Sequence, residues 1–406
     1  MKLKLVFLFC LITKIIAAQY CTNDDRFTEV DFFTLAEIDS TFDMPYGTAI
    51  DWQGNPVQLT LDIYYPTLSI DTMAQRPIVI MVHGGFYLTG TKESKRADCR
   101  DFAQKGFVAA TIKYRLGYNQ SVPTDVIQAA YRAQQDANAA WRTVVGNSSA
   151  LRIDTSWMFM GGHSAGSGTT LNTQYASESE YESLSPGIVN LLGGLKTSGN
   201  NLVHSFTLKG IYNNWGSTVG IVQAEEMIPM VSFHGAMDQV VNIDSIAAGS
   251  YGSRVLHNLL SDSGVCTELT VDTIGGHGIY LSPEGGSFRR GRASCFFKSV
   301  FCNACNELYT VDSLAANCSS IVGNLDPLLT EESIELFPNP VSDQFTVKGK
   351  LDNYTIQILD ATGVNHQTIT NFGSSFTLST TSLPSGLYFI RILSTNNITI
   401  RTIIKD

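Results

Sequence analysis

Charge is scarce in this 406-residue chain, and basic charge is scarcer still. Asp, Glu, Lys and Arg together make up 16% of the residues, and 27 Lys and Arg stand against 37 Asp and Glu, for a net charge of −10. The sequence therefore offers no basic field for nucleic acid or for an anionic membrane surface. Long apolar runs are also missing. Beyond the N-terminus no stretch has 18 consecutive apolar residues, which argues against an integral helical membrane protein. Apolar residues still reach 44%, too many for a disordered or coiled-coil chain. The length allows two or three domains and a sizeable core.

The first 18 residues read as an export signal rather than as part of the fold. Lys2 and Lys4 precede the apolar run Leu5 to Ile12, and Ala17 and Ala18 supply small residues for cleavage near Gln19. The run is short and is broken by Thr13 and Lys14, unlike a membrane anchor. Export leaves seven cysteines, at 21, 99, 266, 295, 302, 305 and 318. An oxidising compartment favours pairing, and an odd count leaves at least one thiol over. Five of the seven fall between 266 and 318, so that segment is expected to be stapled. Cys302-Asn-Ala-Cys305 has the spacing of a redox motif. It follows an apparent helix rather than a strand, which favours structural disulfide bonding over redox chemistry. No histidine stands close to it, so zinc is weakly supported.

Three blocks follow the signal. Residues 19–305 alternate strand-like and helix-like segments, residues 306–332 form a connector, and residues 333–406 read as all-β. In the first block Val57 to Tyr65 alternates apolar and polar residues, as a half-exposed strand does. Ile78 to Val82, Phe107 to Ile112, Trp157 to Met160 and Met230 to Phe233 are short apolar runs suited to strands covered on both faces. Between them Thr124 is placed to begin a helix, Val126, Ala130, Ala133, Ala137, Ala140 and Val144 recur at helical spacing, and Gly146 ends it. This alternation predicts an α/β fold with a mostly parallel sheet, helices on both faces, and ligand-binding loops along one sheet edge. In the last block Gln344 to Val347, Tyr354 to Leu359, Gly386 to Leu393 and Ile398 to Ile404 are strand-like. The turns Asp360 to Gly363 and Pro384 to Gly386 separate them, which fits a small β-sandwich.

The strongest chemical signal is Gly162-His163-Ser164-Ala165-Gly166, which follows a buried strand and precedes the helix-compatible Gly168 to Ala176. A tight strand-to-helix turn exposes a serine hydroxyl at the sheet edge and aims the N–H of Ala165 at a developing oxyanion. His83-Gly84-Gly85-Phe86 directly follows another buried strand. Gly85 and Phe86 are the other candidate oxyanion donors, and His83 is expected to hold this loop by hydrogen bonding. A serine hydroxyl needs a base. His277, in Gly275-Gly-His-Gly278 after the strand-like Leu269 to Ile274, fits that role best of the seven histidines. Asp238, just after Met230 to Phe233, is favoured over Asp244 and Asp272 as the acid that fixes the base's tautomer. The chain order Ser164, Asp238, His277 is that of one triad-bearing fold.

With Tyr114-Arg-Leu-Gly117 added, these motifs resemble the α/β-hydrolases of the carboxylesterase and lipase-like group across residues 55–300. Phe86 stands where many relatives carry a third glycine. The resemblance implies a serine hydrolase that cleaves carboxylic esters through an acyl-enzyme intermediate, with no metal or organic cofactor. A serine peptidase of the same fold and a non-catalytic surface-binding protein are the alternatives. Tyr87 and Trp215 are candidate substrate contacts, and residues 178–206 are either a small lid or ordinary packing. The end of the chain resembles the C-terminal sorting domain of the type IX secretion system. The matching residues are Phe337-Pro-Asn-Pro-Val-Ser-Asp343, Asp360-Ala-Thr-Gly363 and Leu383-Pro-Ser-Gly-Leu-Tyr388. That resemblance implies export across both membranes and contact with the secretion machinery. The expected partners are thus that machinery and a small-molecule or polysaccharide-linked ester, without nucleic acid or a membrane span.

Overall fold

The computed structural model describes residues 19–22, 24–245, 250–305, 307–312, 318, 335–348, 355–360, 365–370, 375–393 and 398–406. The expected export signal, residues 1–18, lies outside them. So do Tyr354 and most of the turn expected at 360–363. The chain divides into two units, residues 1–324 and 325–406.

The first unit is built on nine strands: β1 (Ile38–Ile50), β2 (Pro56–Pro66), β3 (Arg76–Val82), β4 (Val108–Ile112), β5 (Ile153–His163), β6 (Leu208–Asn214), β7 (Met230–Gly235), β8 (Thr267–Asp272) and β9 (Leu308–Val311). They lie in the order β1-β2-β4-β3-β5-β6-β7-β8-β9. β1, β2 and β4 pair antiparallel, and every pairing from β4 across to β9 is parallel. Residues 308–311, read from sequence as connector, instead extend the sheet as its edge strand beside β8. The four-residue run is too short to stand out from a linker until its partner strand is known.

The continuous apolar run of β3 is explained by its two neighbours. Ile78, Ile80 and Val82 point into one core cluster, whereas Val79 and Met81 point into another on the opposite face. Helices cover both faces. On one side lie α1 (Arg96–Gln104), with Cys99, Phe102 and Ala103, and a long C-terminal helix (Pro283–Phe301), with Phe296, Phe297 and Phe301. On the other side lies α2 (Asp125–Gly146), whose Ala130, Ala133, Ala137, Ala140 and Val144 are buried as their spacing predicts. Thr124 occupies the N-cap position but makes no side-chain capping bond.

The other face of α2 does not meet solvent. Gln135 donates to the carbonyls of Leu192 and Gly193, Asn138 to that of Leu195, and Arg142 to that of Ser198. These bonds lash residues 178–206 onto the helix, with Tyr181 and Ile188 buried. The segment is therefore packed scaffold along α2.

Disulfides join Cys21 to Cys302, Cys266 to Cys305 and Cys295 to Cys318, while Cys99 is a buried thiol. Both cysteines of the Cys302–Cys305 pair thus have structural partners elsewhere in the chain. The N-terminal segment is fastened a second time through Asp71, whose carboxylate accepts from Arg26 at 2.7 and 2.8 Å and from Arg76.

The second unit is two packed antiparallel sheets: β10 (Glu335–Phe337), β11 (Gln344–Lys348) and β14 (Ser375–Ser379), against β12 (Thr355–Asp360), β13 (Asn365–Thr370), β15 (Gly386–Leu393) and β16 (Ile398–Lys405). Val341, Phe345, Val347, Ile356, Ile358, Tyr388, Ile390 and Ile403 fill its core.

Burial of Asp71 opposes its ionisation, but the hydrogen bonds from Arg26 and Arg76 outweigh that and bring its carboxyl down to about 2. Asp71→Asn leaves two buried guanidinium groups without their anion and is expected to cost about 3–5 kcal/mol in denaturant titration. The folded-state value lies below the unfolded one of roughly 3.9. The wild-type advantage over Asp71→Asn should therefore be complete above about pH 4 and shrink as the pH falls towards about 2.

Candidate active site

Parallel strands bring the loops that follow β3, β5, β7 and β8 to one edge of the sheet. Each loop delivers one element of the site.

After β5 the chain reverses at Ser164, with φ 53° and ψ −122°, and enters α3 (Ala165–Tyr175) directly. A serine in this region is strained, at a cost of order 1–3 kcal/mol, and persists only where its surroundings fix it. They do so here. The Ser164 N–H donates to the Asn214 carbonyl at 3.0 Å, and the Ser167 hydroxyl donates to that of Gly162 at 2.7 Å. The flanking glycines are needed for space. A Cβ on Gly162 would run into the Gly166 backbone, and one on Gly166 into the carbonyl of Val82 at the end of β3.

The loop after β3 presses against this turn. A Cβ on Gly84 would lie 2.6 Å from the His163 carbonyl oxygen and 3.3 Å from the Ser164 Cβ. His83 braces the loop, as expected. Its Nδ1–H donates to the Gly84 carbonyl at 2.8 Å, and its ring stacks on Tyr114 with centroids 4.3 Å apart. The backbone at Gly85, Phe86 and Tyr87 has φ of 117°, 56° and 60°. Position 86 thus has the left-handed conformation that favours glycine. Here a phenylalanine accepts that conformation and gains an exposed ring, 53% accessible, 6.3 Å from the His277 ring. The N–H groups of Gly85, Phe86 and Ala165 donate to no acceptor among the described residues.

The other two loops complete the arrangement. The Ser164 hydroxyl donates to His277 Nε2 at 2.7 Å, and His277 Nδ1–H donates to Asp238 Oδ2 at 2.8 Å. Asp238 is 3% exposed, and its Oδ1 accepts from the N–H groups of Val240 and Val241 at 2.8 and 2.9 Å. Burial works against the charge on Asp238. Hydrogen bonds from His234, Val241, His277 and Val240 overcome it and hold the carboxyl well below the usual carboxylate range. The rivals are engaged elsewhere: Asp244 pairs with Arg254 at 2.6 Å, and Asp272 Oδ1 accepts from the Ile274 N–H. The geometry allows proton transfer from Ser164 to His277 with the imidazolium stabilised by Asp238.

The two aromatic side chains read as substrate contacts are differently placed. Trp215, with φ 43°, is buried, its ring 6.5 Å from that of His277 and capped by the Arg289 guanidinium at 4.9 Å. Tyr87 packs edge-on to Tyr114 within the core, and burial raises its hydroxyl to about 12. Both rings are buried, whereas the Phe86 ring is exposed.

Sequence reasoning did not find Arg289, 126 residues beyond His163. It donates to His163 Nε2 at 2.9 Å and to Asn214 Oδ1 at 2.7 Å. Burial first, then Lys95 and Arg289, push His163 well below the usual histidine range, so it sits neutral beneath the turn.

Comparison with known proteins agrees with this architecture. Residues 61–188 match the BD-FAE family model, a span that includes the His83–Phe86 loop and Ser164 but not Asp238 or His277. Residues 335–406 match the secretion system C-terminal sorting domain. Carboxylesterase 3B of Mus musculus is 36% identical over 110 residues, 27% of this chain and 19% of that protein. A non-reducing polyketide synthase of Penicillium brevicompactum is 32% identical over 108 residues, 26% of this chain and 5% of that protein. The chain thus spans a fifth or less of these relatives. Among solved structures, the apo form of Thermogutta terrifontis esterase 2 aligns at 19% identity and TM-score 0.46, covering 65% of this chain and 97% of that one. The α/β hydrolase MGS-M1 from a Medee basin metagenome library aligns at 17% identity and TM-score 0.39, covering 57% and 84%. No helix among the described residues is long and apolar enough to cross a membrane. On this mostly parallel sheet with its elbow serine, residues 61–188 thus match an esterase-like α/β-hydrolase family, BD-FAE, and residues 335–406 a type IX secretion sorting domain, the mark of a secreted or cell-surface protein.

Proposed function

We propose that this protein hydrolyses carboxylic esters outside the cell through Ser164, His277 and Asp238. The observation that carries the reading is the unbroken pair of hydrogen bonds from Ser164 to His277 and from His277 to Asp238, at 2.7 and 2.8 Å.

His277 takes the hydroxyl proton as Ser164 Oγ bonds to the ester carbonyl carbon, and the carbonyl π electrons move to oxygen. The N–H groups of Ala165 and of Gly85 or Phe86 stabilise that oxyanion. Collapse of the tetrahedral intermediate expels the alcohol, which takes the proton from His277. Water then repeats the sequence on the acyl-serine and releases the acid. Asp238 remains ionised throughout, consistent with its strongly lowered pKa. The stretch shared with mouse carboxylesterase 3B supports ester over peptide substrates. The exposed Phe86 ring beside His277 supports an apolar or planar group on the substrate.

Ser164→Ala should lower hydrolysis of a short activated ester by at least about 10⁴-fold and abolish labelling by a fluorophosphonate. Undiminished turnover would overturn the assignment. A panel of matched esters and peptides should show turnover of the esters alone, and preferential peptide cleavage would favour the peptidase reading.

Gly84→Ala tests the oxyanion loop separately. Its methyl group would push the loop off the Ser164 turn. The expected result is a kcat lower by about 10²–10³-fold, with the thermal midpoint lowered by a few degrees because the added methyl meets the His163 main chain.

A further inference from the structure

A second histidine lies behind the first. His234, on β7, is fully buried, and its Nε2 lies 2.8 Å from the Val241 carbonyl oxygen and 3.2 Å from Asp238 Oδ2. Its Nδ1 lies 2.6 Å from the hydroxyl of Ser253. Ser253 and Asn213 are likewise fully buried, so bulk solvent does not reach these bonds.

The direction of each hydrogen bond follows from the last member. The Gly216 N–H donates to Asn213 Oδ1 at 3.0 Å, which fixes the carboxamide with its nitrogen towards Ser253. Asn213 Nδ2–H then donates to Ser253 Oγ at 2.9 Å. The Ser253 hydroxyl keeps its own proton to give, and Nδ1 of His234 is the acceptor within reach. His234 therefore carries its proton on Nε2, where two oxygens face it. The opposite tautomer would point a lone pair at both of them.

We propose that His234, held in its Nε2–H tautomer by Ser253 and Asn213, is a positioning residue that fixes Asp238 Oδ2 for His277. This inference rests on reading Ser164, His277 and Asp238 as the triad. The N–H groups of Val240 and Val241 anchor Oδ1 alone, while His234 Nε2–H, donating to the Val241 carbonyl, lies 3.2 Å from Oδ2 and sets its N–H dipole beside the oxygen that accepts from His277 Nδ1. The carboxylate is thereby held in place before the imidazolium forms, and the reaction does not spend energy on turning it.

The test compares two substitutions of similar size and polarity. Gln places an amide nitrogen as far along the side chain as Nε2, whereas Asn reaches only as far as Nδ1. The full-length secreted enzyme is assayed on a short activated ester, with the Ser164→Ala control and fluorophosphonate labelling of the wild type run first. An unlabelled wild type, or an active Ser164→Ala, would sink the triad reading itself. With that reading intact, His234→Asn is expected to lose about 10- to 100-fold in kcat. Its KM should stay within about twofold, and His234→Gln should recover most of kcat. Equal losses in the two variants, or a loss confined to KM, would overturn the proposal. Should His234→Asn fail to fold, Ser253→Ala decides: lower kcat at constant KM supports the role, and unchanged kcat removes it.

Discussion

The site depends on a place where side chains are excluded. At the end of β3, the end of β5 and the start of α3, three backbones pass so closely that Gly84, Gly162 and Gly166 cannot carry a Cβ without striking a neighbouring main chain. Glycine is used here because it yields its side-chain volume, and the cost in chain entropy is met by the cores on either side. That closeness holds Ser164 in its strained conformation and brings the His83–Phe86 loop against it. Parallel pairing across β3, β5, β6, β7 and β8 then carries the Asp238 and His277 loops to the same edge. Distance in sequence, 113 residues between Ser164 and His277, becomes one hydrogen bond.

Most of the sheet was legible because its signals are local. The alternation in residues 57–65, the apolar run 78–82 and the alanine spacing after Thr124 each depend on neighbours a few residues away. The Ser164 turn was legible for the same reason, since glycines two residues either side of a serine need only the strand before and the helix after.

What the sequence concealed depends on distant partners. The polar residues of α2 resemble a solvated face, yet Gln135, Asn138 and Arg142 are buried against carbonyls near residues 192–198. Cys302 and Cys305 look like a pair by spacing, but Cys302 faces Cys21 and Cys305 faces Cys266. Tyr87 follows Phe86 directly, and only the three-dimensional path shows one ring turned inwards and the other outwards. Arg289 and His234 carried no signal of their own, because each matters through a hydrogen bond to a residue that another strand supplies.

The link between Cys21 and Cys302 closes almost the whole hydrolase sheet into a covalent ring, its ends 281 positions apart in the sequence. A foreign protease that nicks a surface loop inside that ring opens the polypeptide but liberates neither fragment. The halves remain tethered, at high effective concentration, and can settle back onto the same sheet. For a molecule dispatched beyond the cell envelope, where no chaperone waits to repair it, single cuts become survivable injuries.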